Sequence, residues 1–248
     1  MCYVFHDCDL LVNDYEEINL EFCSMQRNLI LTSDGSHSIS VPDMNVTYHS
    51  IHGAIRESMH VFIEAGLRSD HLVKSDQCSI LEVGFGTGLN ALLTAIEAEK
   101  TRNSIYYVAL EPFPLDEEQV QSLNYCQWLG RKNLQNDFIR MHQCEWNRGL
   151  AVTEYLLMHK SNHTLQSFDH KTKFDLIYFD AFAPNVQPEL WTKEIFEKMF
   201  ALLEPEGILV TYCSKGDVRR AMQAAGFIVE KLPGPKGKRE IVRCRTRI

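Results

Sequence analysis

The segment "ILEVGFGTGLN", Ile80–Asn90, runs from a short apolar stretch into three glycines on alternate positions. The apolar residues from Cys78 to Val83 read as a buried strand. "LNALLTAIEAEK" then puts Leu89, Leu92, Leu93 and Ile96 on one helical face. A strand that breaks into glycines and resumes as a helix is a βα turn. Glycines let such a turn bend tightly and bring its backbone up to a ligand with no Cβ in the way. In an open α/β sheet that turn lies beyond the carboxyl end of the strand, where ligands bind.

Working outward, "SIYYVALE" reads as a second strand, "DFIRMHQCE" as a third, "FDLIYFD" as a fourth and "GILVTYC" as a fifth. "PELWTKEIFEKMFALL" is a helix with Ile195, Phe196, Met199 and Leu203 on its apolar side, and "DVRRAMQAAG" is a shorter helix stopped by Gly226. "FIVEKLP" and "EIVRCRTRI" are joined by "GPKGKR", too short for a crossover helix, so they pair as an antiparallel hairpin. Alternation of this kind implies an α/β fold, a mainly parallel sheet of seven strands with helices on both faces. Ending in an antiparallel hairpin, it has the shape of the Rossmann-like class I methyltransferases. Residues 76–248 are expected to form that domain and 1–75 an N-terminal extension packed on it. The extension holds a hairpin around Asp34-Gly35 and a helix, "HGAIRESMHVFIEAGL", stopped by Gly66. "SNHTLQSFDHKTK" reads as a surface loop.

Composition narrows the class. With 248 residues, 45% hydrophobic and 23% charged, the chain suits one α/β domain with a small extension. It has no apolar run near the roughly 18–20 residues of a membrane span. The acidic start "MCYVFHDCDLLVND" lacks a signal peptide's basic and apolar regions, so a cytoplasmic protein with no membrane association is expected. The eight cysteines form no C-x-x-C pair, and the pairs His49/His52 and His159/His163 have no softer ligand beside them, so no metal is expected. The net charge of −8 hides an asymmetry, because Lys215–Ile248 carries ten Lys/Arg against three Asp/Glu. A basic tail on an acidic body points to a polyanionic partner.

The turn itself selects a ligand. The dinucleotide fingerprint is G-x-G-x-x-G, whereas here Gly84, Gly86 and Gly88 alternate behind the acid Glu82. Pyrophosphate wants bare amides at a helix N-terminus, and a carboxylate two residues earlier would repel it. S-adenosylmethionine has no phosphate and carries a cationic amine, so an acid beside the turn suits it. Glu111, at the tip of the second strand, is positioned to accept hydrogen bonds from both ribose hydroxyls. Glu145, after the third strand, is a candidate cap for the adenine amino group. Asp180, at the tip of the fourth strand in "YFDAFAPNVQPELW", faces the same pocket. Methyl transfer needs an aligned, neutral nucleophile, and Asp180 can hold an ammonium, orient it and take up its proton.

At these residues the sequence resembles a known family. "VGFGTGLN", "EPFPL", "DAFAPNVQPELWT", "SKGDVRRAMQAAGF" and "GPKGKREIV" are similar to the methyltransferase domain of MnmC, with a fainter echo in "ESMHVF", Glu57–Phe62. That family makes 5-methylaminomethyl-2-thiouridine at the wobble position of tRNA. The resemblance implies that Gly84, Phe85, Gly86 and Gly88 line an S-adenosylmethionine pocket, that Glu111 holds the ribose, and that Asp180 sits by the transferring methyl and the substrate amine. It implies the stand-alone methyltransferase without the flavin-dependent oxidase domain, its aminomethyl substrate coming from a separate oxidoreductase. Lys236, Lys238 and Arg239, with Lys215, Arg219 and Arg220, are then expected to meet tRNA phosphates. Phe182 is the better candidate for stacking on an extruded base, Trp191 reading more readily as core. The competing reading is an amine N-methyltransferase or aminopropyltransferase of the same fold acting on a small molecule.

Overall fold

The computed structural model describes residues 25–70, 72 and 76–247. Cys2, Cys8, Cys23 and the acidic start therefore lie outside the described residues.

The described part of the extension holds a small antiparallel sheet of β1 (Asn28–Leu31), β2 (His37–Val41) and β3 (Val46–Thr47). Its first hairpin turns at Asp34-Gly35, as the sequence predicts, with Gly35 at φ 84. The Asp34 carboxylate accepts the Ser36 N–H at 3.0 Å and the Arg56 N–H at 3.1 Å, which ties the turn to the helix that follows. That helix starts as α1 (Ala54–Ser58) and continues as a π-helical stretch, Met59–Leu67. Gly66 does not stop it. It lies inside the π segment, where a Cβ would stand 3.1 Å from Val210 Cγ2. The glycine is there so that helix and sheet can approach.

The main sheet has eight strands: β4 (Gln77–Val83), β5 (Ser104–Leu110), β6 (Gly149–Thr153), β7 (Leu156–Ser161), β8 (Phe174–Phe179), β9 (Leu203–Thr211), β10 (Ile228–Pro233) and β11 (Glu240–Arg245). Their spatial order is β10-β11-β9-β8-β4-β5-β7-β6. The five central strands β9, β8, β4, β5 and β7 are parallel, and β10–β11 is the expected antiparallel hairpin. The helices are α2 (Leu89–Thr101), α3 (Glu117–Ser122), α4 (Tyr125–Trp128), α5 (Gln135–Gln143), α6 (Lys193–Leu202) and α7 (Gly216–Ala224). Alternate strand residues feed two apolar layers. Ile80 and Tyr178 pack with Phe62, Leu92 and Phe138 on one face, while Leu81 and Phe179 pack with Phe196, Met199 and Met222 on the other. Strand order reverses at β4, with β5 on one side and β8 on the other, and ligands bind at such a point. No helix among the described residues is long and apolar enough to cross a membrane.

Two expectations about the sheet are corrected. "DFIRMHQCE" is not a strand but most of helix α5. Leu134, Phe138 and Met141 fall at i, i+4 and i+7 and are all buried, while Asp137 and Arg140 pair at 2.8 Å on the outer side. The third parallel strand is β7. Its inward positions are Leu156, Met158 and Lys160, and a lysine on the buried face hid the alternation. Lys160 donates to the His142 carbonyl, and its ammonium lies 4.5 Å from the Trp146 ring. The strand count rises from seven to eight because β6 pairs antiparallel with β7 at the sheet edge. The "SNHTLQSFDHKTK" segment is not merely a surface loop either, since Leu165 and Phe168 are buried in it.

Candidate active site

A cavity of about 780 Å³ opens beyond the carboxyl ends of β4, β5 and β8. The glycine turn forms its floor. The Gly84 and Phe85 N–H groups both donate to the Leu110 carbonyl at 3.1 Å, which fixes the turn against β5. Gly84 has φ 90, and a Cβ there would stand 2.8 Å from the Asp180 carbonyl oxygen. Only glycine satisfies both constraints. Phe85 reaches the cavity but is mostly buried, its ring centroid 4.8 Å from that of His142. Gly88 departs from expectation: it heads α2 at φ 72, packed under His142 and Phe85, and does not line the cavity.

The acids divide into three groups. Glu111 stands at the end of β5 on the cavity wall. Its Oε2 accepts the Gly86 N–H at 2.7 Å and its Oε1 the Phe113 N–H at 2.8 Å. Burial raises its pKa, opposed by those two hydrogen bonds. Asp180 follows β8 and faces the same cavity. Its Oδ2 accepts from Asn90 Nδ2 at 2.9 Å. Burial pushes its pKa well above the usual carboxylate range, and the Glu57 charge adds to that, against the Asn90 hydrogen bond and the Lys238 charge. A carboxyl perturbed by burial and by a neighbouring charge in a cleft is a candidate for acid–base work.

Glu82 and Glu145 are corrected. Glu82 is fully buried beneath the floor and is not on the cavity wall. Its Oε1 accepts from the same Asn90 amide at 3.0 Å. The strand period aims it into the core rather than along the turn. Burial raises its pKa well above the ordinary value, and Asp180 and Glu111 push the same way. Glu145 was assigned from a strand that is a helix. It lies in the open, away from the cavity, paired with Arg148 at 2.5 Å. The third parallel strand instead ends at Ser161, and His163–Gln166 behind it line the cavity.

The raised Glu82 pKa carries a stability prediction. A carboxyl that holds its proton more tightly when folded stabilises the fold fully below its unfolded pKa and loses that contribution as pH rises through the folded value. Glu82→Gln keeps the shape and cannot ionise. Its Tm is expected to match wild type in acid and to exceed it progressively toward alkaline pH, read by calorimetry across pH. A constant difference at every pH would mean Glu82 is not held protonated.

Phe182 lines the cavity and meets the Tyr48 ring edge-on, centroids 5.1 Å apart. Trp191 is core, as its helical pattern suggested, and its Nε1–H supports the loop by donating to the Phe182 carbonyl at 2.8 Å. Of the expected phosphate ligands, Lys236, Arg239, Lys215 and Arg220 are exposed, and Arg219 is half-buried with its Nε donating to the Ser214 carbonyl. Lys238 behaves differently. It turns into the cavity, paired with Glu57 at 2.5 Å and with its ammonium 3.9 Å from the centre of the Tyr212 ring. Sequence reasoning missed the contribution of Asn90, Tyr48, Glu57 and Tyr212. Glu57 had a signal, since it opens the "ESMHVF" stretch. No cluster of metal-ligating side chains occurs among the described residues.

Comparison with known proteins follows the same lines. Residues 128–247 match the model of a family described as S-adenosyl-L-methionine-dependent methyltransferases. The chain is 32% identical over 231 residues to the tRNA 5-methylaminomethyl-2-thiouridine biosynthesis bifunctional protein MnmC of Aromatoleum aromaticum, covering 88% of this chain and 35% of that protein. It thus spans about a third of the curated relatives it matches. Among solved structures it is similar to MNMC2 from Aquifex aeolicus, with a TM-score of 0.70 at 22% identity over 97% of this chain and 78% of that one. A spermidine synthase from Thermotoga maritima shares the fold more distantly, with a TM-score of 0.51 at 10% identity over 90% of this chain and 69% of that one.

Proposed function

The chain belongs to the S-adenosyl-L-methionine-dependent methyltransferase family that includes the methyltransferase part of MnmC, and from that premise we propose that it methylates the aminomethyl nitrogen of 5-aminomethyl-2-thiouridine at the tRNA wobble position. The observation that carries this reading is the Asp180 carboxyl facing the same cavity as the glycine turn and Glu111.

The cavity's residues fit S-adenosylmethionine. Four carboxyl groups, Glu57, Glu111, Asp180 and Glu189, line a mainly apolar space, which favours a cationic ligand and disfavours a pyrophosphate. When bound, the cofactor supplies a methyl group on a positively charged sulfur. Glu111 would accept the ribose hydroxyls on the lone pairs that Gly86 and Phe113 leave free, and the bare backbone of Gly84 and Gly86 would let the ligand lie close. The adenine side falls to Phe113, His163 and Leu165 in place of Glu145. Asp180 would receive the incoming ammonium, orient it, and take up its proton directly or through water, leaving a lone pair free to attack. Asn90 pins one Asp180 oxygen and leaves the other for the amine. Phe182 would stack on the extruded base.

The aminomethyl group would be made by a separate oxidoreductase. A tRNA substrate also goes with the cytoplasmic setting expected from the sequence. The test is incubation with cofactor and tRNA carrying 5-aminomethyl-2-thiouridine, followed by nucleoside mass analysis. A gain of one methyl group on that nucleoside is expected. An unmodified nucleoside, with a small amine methylated when it is supplied in place of the tRNA, would favour the small-molecule reading.

The exposed cations give a second test. If Lys236 and Arg239 contact phosphates, neutralising both is expected to weaken tRNA binding and flatten the slope of log K against log salt by roughly 0.7–0.9 per lost contact. Filter binding across a salt series reads this. An unchanged slope would move the binding face elsewhere. Lys238 is left out of this set, because its charge is already engaged inside the cavity.

A further inference from the structure

Four elements distant in sequence meet at the cavity end beside Asp180. Glu57 comes from the end of α1, Tyr212 follows β9, Asp180 follows β8, and Lys238 hangs from the β10–β11 hairpin. Each is held in place. The Tyr212 hydroxyl donates to the Ala181 carbonyl at 2.9 Å, which fixes the ring face toward the cavity. Glu57 Oε2 accepts the Ser50 N–H at 2.7 Å, which leaves Oε1 aimed at the Lys238 ammonium. Glu57 is 7% exposed. The hairpin that carries Lys238 is seated against the extension, where a Cβ on Gly237 would overlap the His52 ring.

An ammonium between an aromatic face and a buried carboxylate, with a second carboxyl group on the same cavity, is a recognition site for a primary alkylammonium. The side chain that fills it is itself a primary alkylammonium on a flexible stem.

We propose that Glu57 and Tyr212 form the alkylammonium subsite for the methyl acceptor, and that Lys238 is its resident occupant, displaced when the substrate amine enters. The inference rests on the amine-methylating reading and deepens it. Asp180 manages the proton, whereas Glu57 and Tyr212 select the cation and deliver it. Lys238 keeps a buried carboxylate from standing uncompensated in the empty enzyme, which would be costly.

The test has two arms. Glu57→Gln retains an acceptor for the Ser50 N–H and removes the charge. The KM for aminomethyl-bearing tRNA is expected to rise about tenfold, the size of one lost charge-assisted contact, with kcat little changed. That ratio should shrink toward one as pH rises through the substrate amine's own pKa, because a neutral amine has no use for the carboxylate. A merely structural role would give a constant ratio. In the second arm, crystals of Lys238→Ala are soaked in n-propylammonium chloride. Density is expected between Tyr212 and Glu57, and its absence is expected in the Glu57→Gln/Lys238→Ala double variant. Glu57→Gln kinetics identical to an active wild type, or an empty cage in the Lys238→Ala soak, overturns the proposal. A filled cage in a protein that methylates no aminomethyl tRNA would leave the subsite standing and retire the methyl-transfer reading instead.

Discussion

Asp180→Ala is expected to lower methyl transfer by about 10²–10⁴-fold, the usual range for a lost acid–base group, while S-adenosylmethionine still binds. Among the described residues the Asp180 carboxyl is held by Asn90 and makes no hydrogen bond to the glycine turn or Glu111, so its removal is expected to leave both in place. Burial holds its pKa high, which makes it an acceptor able to take a proton from an ammonium and later release it. A carboxyl with a raised pKa is inactive as a base while protonated, so the rate should climb with pH through that value. Asp180→Asn should lose this limb along with the rate, since it matches the shape and cannot accept the proton. Single-turnover rates across pH, with calorimetry for the cofactor, test both halves. A variant as fast as wild type removes Asp180 from the chemistry, and a variant that no longer binds cofactor makes it a binding residue instead.

Glu111→Ala is expected to weaken S-adenosylmethionine about a hundredfold or more. The carboxylate holds the turn through the Gly86 and Phe113 N–H groups, and its loss leaves both donors without that acceptor. Hydrogen bonds to a charged group contribute about 1.5–3 kcal/mol each. Losing two ligand contacts at the lower end of that range, about 3 kcal/mol together, corresponds to a factor of roughly 10² in Kd, and the loosened turn adds to it. Once cofactor is saturating, kcat should recover most of its wild-type value, because Glu111 does not touch the substrate amine in this account. Calorimetric titration provides the check, and an unchanged dissociation constant would mean the ribose lies elsewhere.

The parallel core was legible because its strands announce themselves: "CSILEVG" and "FDLIYFD" are apolar over most of their length, as strands covered on both faces tend to be. The acids at their tips followed, and Glu111 and Asp180 do reach the cavity. Several of the departures come from a side chain in a position its type rarely takes. Lys160 on the buried face of β7 disguised the third strand, the apolar residues of α5 took its place, and Glu145 was misassigned with it. The sequence places Glu82 as a cofactor-facing acid beside the turn, yet the strand period turns it into the core. Lys238 was counted as a free cation because sequence carries no record of a partner about 180 residues upstream. The sequence leaves open what the extension contributes beyond packing, and Tyr48 and Glu57 make it a wall of the cavity.

The central claim is that one cleft brings a methyl donor and an amine together at Asp180. A crystal structure of the protein with S-adenosylhomocysteine tests it most directly. The account predicts the ribose on Glu111, the glycine turn beneath it, and the sulfur facing Asp180 across open space large enough for an aminomethyl group. Ligand bound with its sulfur turned away from Asp180, or in another part of the molecule, would contradict it.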